Sequence, residues 1–272
     1  MPVVSADRAS RSAARRGAAV AWPVAVAAVL VVVAGGWLVA DPHAFGTRGA
    51  TCLDTGCFCE RLGSAVLAQP VNAWSSLAFV VAGIAVALRG RRWRAGIAER
   101  TLALGLAAAL VAVGVGSLAL HGTVTYAGQL LDLQGMYLVG LVLAMGALTR
   151  SRRLAPTAAR TATIAGIATL AVSQYVLPGT RRWLFGALIA LGLLAEARAR
   201  GWSRPLVSGL LVLAAAYAAW LADDRQWLCD PTSWLQGHAI WHLLGALAGF
   251  MLAEHYRVAD PGTAEIAGPV RR

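Results

Sequence analysis

Long apolar stretches alternate with short polar ones along the 272-residue chain. The apolar residues fill continuous blocks of about 20 residues, which is enough helix to cross the hydrocarbon core of a bilayer. We predict eight membrane-spanning helices from these blocks. Their approximate ranges are 19–40, 72–89, 101–121, 128–149, 159–177, 183–198, 204–222 and 236–256. The predicted fold is therefore an all-α transmembrane bundle, a seven-helix core plus one extra helix at the N-terminus.

The polar stretches divide the chain into five parts. We predict a cytoplasmic tail over 1–18, the extra helix over 19–40, an outer segment with cysteines over 41–71, the seven-helix bundle over 72–256 and a second cytoplasmic tail over 257–272. The first helix has a second interpretation, because Leu38-Val39-Ala40 resembles a signal-peptide cleavage site. Its apolar stretch exceeds the usual signal-peptide core, so we favour an uncleaved helix or signal anchor.

The charges support the membrane interpretation. Only 14% of the residues are charged, against about 25% in a typical soluble domain. The net charge of +11 comes from arginines in short runs between apolar blocks, so we predict no nucleic-acid partner. Only five of the arginines fall in the predicted outer segments: Arg48, Arg61, Arg181, Arg182 and Arg225. This bias predicts cytoplasmic N- and C-termini, and the Ala- and Arg-rich, lysine-free composition indicates a bacterial inner membrane.

All four cysteines, Cys52, Cys57, Cys59 and Cys229, fall in predicted outer segments. An oxidising outer compartment permits disulfides there, and a bridge to Cys229 would tie the two ends of the seven-helix core together. A thiolate metal site at Cys57 and Cys59 is the alternative. Because that pair is C-x-C with no matching second pair, we favour disulfides, whose pairing the residues alone leave open.

Polar residues within the predicted helices cluster at one end of the bundle. Ser117 and His121 end the third helix, Asp132 lies near the start of the fourth, and His238 and His242 begin the last. Residues four apart share a helix face, so both late histidines can face one metal ion. In an antiparallel bundle these helix ends all lie at the outer side. Three imidazoles with an open fourth position are typical of catalytic zinc.

The remaining polar residues have simpler interpretations beside the functional ones. Asp132 could be a structural hydrogen-bond acceptor. We favour a functional role beside the metal, either as a base or as a hydrogen-bond partner of the metal ligands. His255 lies at a helix end, where we expect it to be solvated or interfacial.

Taken together, these motifs resemble the alkaline ceramidase family of seven-helix membrane hydrolases, in a superfamily shared with the progestin and adiponectin receptors. The resemblance runs from Cys59 to the last helix. Its elements are Cys59-Glu60, Gln69-Pro70-Val71-Asn72, Ser117-x-x-x-His121, Gly128-Gln129-Leu130-Leu131-Asp132 with Met136, and Gly237-His238-Ala239-Ile240-Trp241-His242.

The resemblance implies zinc on the three histidines, with Ser117 and Asp132 as the catalytic polar pair. It implies ceramide as the substrate, cleaved at its amide to a sphingoid base and a fatty acid. It also implies a disulfide between Cys59 and Cys229, whose positions match a family disulfide.

The calcium site of eukaryotic family members is degraded here. Leu62 stands where the resemblance expects Asn, and Gln69 where it expects Glu, which leaves Glu60 and Asn72. Calcium prefers six to eight oxygen ligands with prominent carboxylates, so we do not expect tight calcium binding.

The expected function is a zinc-dependent intramembrane hydrolase that cleaves the amide of ceramide or a ceramide-like N-acyl lipid. The alternative is a receptor-like or scaffold protein with a structural zinc. A transporter is disfavoured because the polar residues lie near one membrane face. The expected partners are the lipid substrate and the bilayer. The sequence does not indicate the exact lipid, amide or ester preference, or oligomeric state.

Overall fold

The computed structural model describes residues 46–54, 56–63, 66–90 and 97–258. The predicted extra helix over 19–40, the tail over 1–18 and nearly all of the tail over 257–272 lie outside these residues. The described part comprises most of the cysteine-containing segment and the helices of the predicted seven-helix core.

The described residues form seven α-helices and two single turns of 3-10 helix. The α-helices are α1 (Pro70–Gly90), α2 (Ile97–Thr123), α3 (Tyr126–Arg150), α4 (Pro156–Val176), α5 (Arg181–Arg200), α6 (Arg204–Asp224) and α7 (Gly237–Val258). The only strand-like feature among the described residues is an isolated bridge between Gly49 and Thr125. The all-α fold is confirmed, and the helix ends differ from the predicted ones by only a few residues.

The helices have the composition of a membrane bundle. In the described part of the chain, α1, α2, α3 and α6 are each long and apolar enough to cross a membrane, and α4 and α5 qualify as a pair bent by 117°. Helix α7 falls short because His238 and His242 lower its hydropathy. Many large apolar side chains on the helices face outward, among them Ile164, Val172 and Leu211. Lipid rather than water is the solvent in which such a surface is stable.

The helices α2 and α3 approach until their backbones touch. A Cβ atom on Gly116 would lie 2.6 Å from the backbone of Leu131, and one on Gly135 would lie 2.6 Å from the backbone of Val113. Small residues allow such close helix contacts in membranes, where packing rather than water exclusion drives association. The approach at Gly116 brings the next residue, Ser117, beside Asp132 on α3.

Helix α2 lies at the centre of the bundle and contacts α1, α3 and α7. Helix α6 packs on α7, whereas α5 packs on α3 with α4 beside it. Only three residues separate α5 from α6, and within the described structure the backbones of these two helices are not closely packed. The side chain of Arg182 on α5 joins them, through a salt bridge with Asp224 and a contact with the ring of Trp220 on α6. The bundle is therefore tightly packed on the side of α1, whereas α5 and α6 meet through side chains rather than through close backbone packing.

Candidate metal centre

Three buried histidines meet where α2 ends and α7 begins. His121 lies in the last turn of α2, and His238 and His242 lie in the first turns of α7. None of the three is more than 5% exposed. Each offers a ring nitrogen, and these three atoms lie within 4.8 Å of one another. We call these residues the histidine site.

The rings are oriented so that their Nε2 atoms face inward. The Nε2 atoms of His121 and His238 are 3.1 Å apart, and the ring centroids of His238 and His242 are 4.6 Å apart. Two imidazole nitrogens at that distance share either a proton or a metal ion. The three donors can hold a metal ion.

Hydrogen bonds fix the tautomer of His242. Its Nδ1 lies 2.8 Å from the hydroxyl of Ser75, and that hydroxyl donates its proton to the carbonyl of Asn72. Ser75 must therefore accept from His242, so Nδ1 carries the ring proton and the lone pair of the ring lies on Nε2. Such support of the second nitrogen is characteristic of metal-ligating histidines.

The structure brings both proposed catalytic polar residues to the histidine site. The hydroxyl of Ser117 lies 3.1 Å from Nε2 of His242, and it is within hydrogen-bonding reach of the Asp132 carboxylate. The sequence placed Ser117 on the face of His121, four residues away, but its hydrogen bond goes to His242 on another helix. A hydroxyl and a carboxylate thus stand next to the inward nitrogens.

The cysteine-containing segment covers the histidine site. Disulfides join Cys52 to Cys57 and Cys59 to Cys229, and the second is the pair that the resemblance implies. Between them, the ring of Phe58 lies against that of His238, with a centroid distance of 3.7 Å and an angle of 34° between the ring planes. The backbone of Phe58 has φ of 60°, a left-handed conformation that costs energy for a bulky residue. The surrounding structure therefore holds Phe58 over the site.

Glu60 and Asn72 come together, but in a different role from calcium ligation. The carboxylate of Glu60 accepts hydrogen bonds from the backbone N–H groups of Val71 and Asn72, which caps the first turn of α1. Burial raises the pKa of Glu60, and these two hydrogen bonds oppose the shift. The Asn72 side chain is buried without a hydrogen-bond partner in the described structure. These contacts give Glu60 a role in capping α1, and the expectation that calcium is not tightly bound stays a prediction.

Asp223 caps the start of α7 in the same way. Its carboxylate accepts from the backbone N–H of His238 at 3.0 Å and from that of Cys59 at 2.9 Å. Asp223 thereby caps the helix that carries two histidines and ties it to the cysteine-containing segment. Sequence reasoning missed Asp223. It ends α6 but caps α7, which begins after the following loop, and no local sequence pattern shows that these two helix ends meet.

Three further residues escaped prediction. Ser75 and Phe58 carry no motif of their own, so only the structure shows that they contact His242 and His238. Gln69 was recognised as part of the Gln69-Pro70-Val71-Asn72 motif and as a departure from the calcium site, but not as the residue whose side chain bonds to His121. The one sequence signal for Gln69 is that a polar residue stands directly before a predicted membrane helix, where polar residues are often functional.

Comparison with known proteins agrees with the residues of the site. No curated protein is similar enough to be matched with this chain. The model of one protein family, described as Ceramidase, matches residues 57–264, which is most of the chain and includes every residue of the histidine site. The chain belongs to the ceramidase family.

Proposed function

We propose that the protein is a zinc-dependent hydrolase that cleaves the amide bond of ceramide or a ceramide-like N-acyl lipid and releases a fatty acid. The observation that carries this proposal is the placement of Ser117 and Asp132 beside three inward-facing imidazoles. A purely structural metal site would need neither residue. Membership of the ceramidase family supports the same reaction.

Zinc is the metal that best suits the three donors. Zn²⁺ binds imidazole nitrogen, and catalytic zinc sites use three protein ligands with the fourth position left for water or substrate. The histidine site offers three imidazoles, and the hydroxyl of Ser117 beside it is a weak ligand compared with a fourth histidine or a thiolate. When bound, zinc would supply the Lewis acidity that activates a water molecule at neutral pH.

In the proposed reaction, Asp132 transfers protons and Ser117 stabilises negative charge. We assign Asp132 the role of base, which takes a proton from the attacking water and later delivers it to the leaving amine. Ser117 donates a hydrogen bond to the oxygen that becomes negative in the tetrahedral intermediate. One such donor typically lowers the barrier by about 2.7–4 kcal/mol. The amide C–N bond breaks, the acyl carbon gains the water oxygen, and the amine leaves protonated.

We propose that the lipid reaches the site laterally, from within the bilayer. Large apolar side chains cover the outward faces of the helices, so the chains of the lipid would stay in an apolar environment on the way. Each buried CH₂ contributes about 0.8 kcal/mol, so chain contacts supply much of the binding energy. We propose that the histidine site faces the outer side of the membrane, with both termini cytoplasmic, so that water enters from outside.

The proposal is tested by incubating the purified protein with a panel of N-acyl lipids, with and without a zinc chelator. The panel contains ceramide, N-acyl amino acids and an ester lipid of matched chain length. We expect fatty acid release from at least one N-acyl lipid, lost on chelation and restored by added Zn²⁺. Stoichiometric zinc without any fatty acid release would instead favour the receptor-like or scaffold function.

A further inference from the structure

Gln69 occupies an unusual position at the start of α1. Its carbonyl accepts the first intrahelical hydrogen bond, from Ala73 N–H, and Pro70 follows as the first helical residue. A side chain at such a cap position normally accepts from the N–H groups of the first turn. Here the Glu60 carboxylate takes those N–H groups, so the side chain of Gln69 is free for other contacts.

The backbone of Gln69 is joined to the end of α2. Its N–H donates to the carbonyl of His121 at 2.9 Å, and the N–H of Ala68 donates to the carbonyl of Gly122 at 2.9 Å. Gln69 is only 1% exposed. Its side chain therefore starts from a fixed point beside His121 and has little room to choose another rotamer.

The orientation of the Gln69 amide follows from its partners. Its nitrogen lies 2.6 Å from the carbonyl of Cys57 and 3.0 Å from that of Glu60. Carbonyl oxygens only accept hydrogen bonds, so the NH₂ end of the amide must face them. The amide oxygen consequently faces the other way, where it lies 2.8 Å from Nδ1 of His121.

The tautomer of His121 follows in turn. An amide oxygen cannot donate, so Nδ1 of His121 must carry the ring proton. The lone pair of this histidine is then on Nε2, the atom that faces His238. The Gln69 amide thus connects the disulfide-bonded segment around Cys57 with the protonation pattern of a ligand on α2.

We propose that Gln69 is a positioning residue of the metal centre, which holds His121 in the Nδ1–H tautomer with Nε2 turned towards the metal. This inference rests on the proposed zinc site. The simpler role for Gln69 is to hold the cysteine-containing segment in place through its two donated hydrogen bonds. The two roles use opposite ends of one amide, so different substitutions separate them.

Gln69→Glu and Gln69→Leu make that separation. Glu keeps an oxygen that can accept from Nδ1 of His121 but loses both donors to the carbonyls. Leu loses the acceptor and the donors together. If Gln69 only held the segment, both variants would lower thermal stability and metal affinity in parallel. If it positions His121, Gln69→Glu loses stability yet keeps its metal affinity, whereas Gln69→Leu loses both.

The experiment measures zinc affinity by chelator competition on the purified, disulfide-intact proteins. We expect the affinity of Gln69→Leu to fall by about 10- to 100-fold, the usual loss when the partner of a ligating histidine is removed. The affinity of Gln69→Glu should stay close to that of the unaltered protein. Gln174→Leu is the matched control, because Gln174 is equally buried and its side chain has no hydrogen-bond partner in the described structure.

A second measurement reports on the metal-free protein. The ¹⁵N shifts of His121 should show the Nδ1–H tautomer in the unaltered protein and in Gln69→Glu, but a changed tautomer in Gln69→Leu. Unchanged zinc affinity and tautomer in Gln69→Leu would overturn the inference while leaving the proposed function intact, as would equal losses in both variants. Absence of zinc binding in the unaltered protein would instead remove the metal centre itself.

Discussion

The two ends of the bundle each bury histidines on α7, and they use them differently. At one end His238 and His242 join His121 in the histidine site. At the other end, about 25 Å further along α7, His255 lies beside the buried ion pair of Arg150 and Glu196. We call Arg150, Glu196, Ser203 and His255 the ion-pair cluster.

The ion-pair cluster balances its charges internally. Arg150 forms a salt bridge with Glu196, and Nε2 of His255 lies 4.0 Å from the same carboxylate. Nδ1 of His255 lies 2.7 Å from the hydroxyl of Ser203, which also caps α6. The expectation that His255 would be solvated or interfacial is wrong, since it is fully buried. The short turn between α5 and α6 folds Ser203 over it.

The histidine site differs because three imidazole rings converge there, with the Ser117 hydroxyl and the Asp132 carboxylate beside them. Converging lone pairs are costly to bury, and a shared cation would satisfy the three of them at once. The comparison teaches that the number of converging rings separates the two ends: three imidazoles within reach of one point could hold a metal ion, whereas the single imidazole of His255 lies beside a salt bridge.

The largest effect is expected from replacing a histidine of the histidine site, which should abolish zinc binding, whereas replacing His255 at the other end should not. His242→Ala removes one of three ligands, and we expect no stoichiometric zinc and no hydrolysis, measured by metal analysis and fatty acid release. His255→Ala is the matched control on the same helix, and it should keep its zinc. Zinc loss in both variants would show that the two ends are not independent.

Asp132→Asn should separate metal binding from turnover. The amide cannot take the proton from water, so we expect a rate loss of about 10²- to 10⁴-fold. Zinc content should stay stoichiometric, since Asp132 is not among the three ligands. Single-turnover fatty acid release and metal analysis on the same sample check both points, and an unchanged rate would remove Asp132 from its proposed role.

Ser117→Ala should give a slightly smaller loss. Without the hydroxyl, the developing negative oxygen has one hydrogen bond fewer, and we expect kcat to fall by about 10²- to 10³-fold. Ser75→Ala, which affects His242 from the other side, is the comparison variant and should lower zinc affinity instead. If Ser117→Ala lost zinc but kept kcat in the loaded protein, Ser117 would be a support of His242 only.

Glu196→Gln tests the ion-pair cluster. Removal of the negative charge leaves Arg150 opposite a neutral amide, and we expect the free energy of unfolding to fall by up to about 3–5 kcal/mol. Thermal unfolding in detergent measures this loss. Zinc affinity of the folded fraction should not change, and a drop there would mean that the two ends are coupled through α7.

Phe58→Ala should have the smallest effect. It removes the ring that lies against His238 while it leaves both disulfides in place. We expect a chelator to extract zinc several-fold faster at nearly unchanged equilibrium affinity, because water and chelator reach the site more easily. Phe58→Trp, which keeps an aromatic cover, is the control, and equal extraction rates in all three proteins would contradict a covering role.

Much of the fold and part of the site could be predicted because their signals are local. Blocks of about 20 apolar residues indicate helices wherever they pack. His238 and His242 lie on one face because residues four apart in a helix always do. The antiparallel order then predicts that His121 lies at the same end. These predictions do not depend on which helices are in contact.

Other features depend on contacts between distant segments, and only the tertiary structure decided them. Asp223 caps α7 because α6 ends beside it, and Gln69 contacts His121 because α1 starts where α2 ends. The hydroxyl of Ser117 contacts His242 on another helix, although His121 lies on the same face of its own helix. The sequence by itself determined which residues are apolar, which are polar and how each helix is phased. Which polar groups satisfy one another depended on packing, because a buried hydrogen bond requires both partners at one point in space.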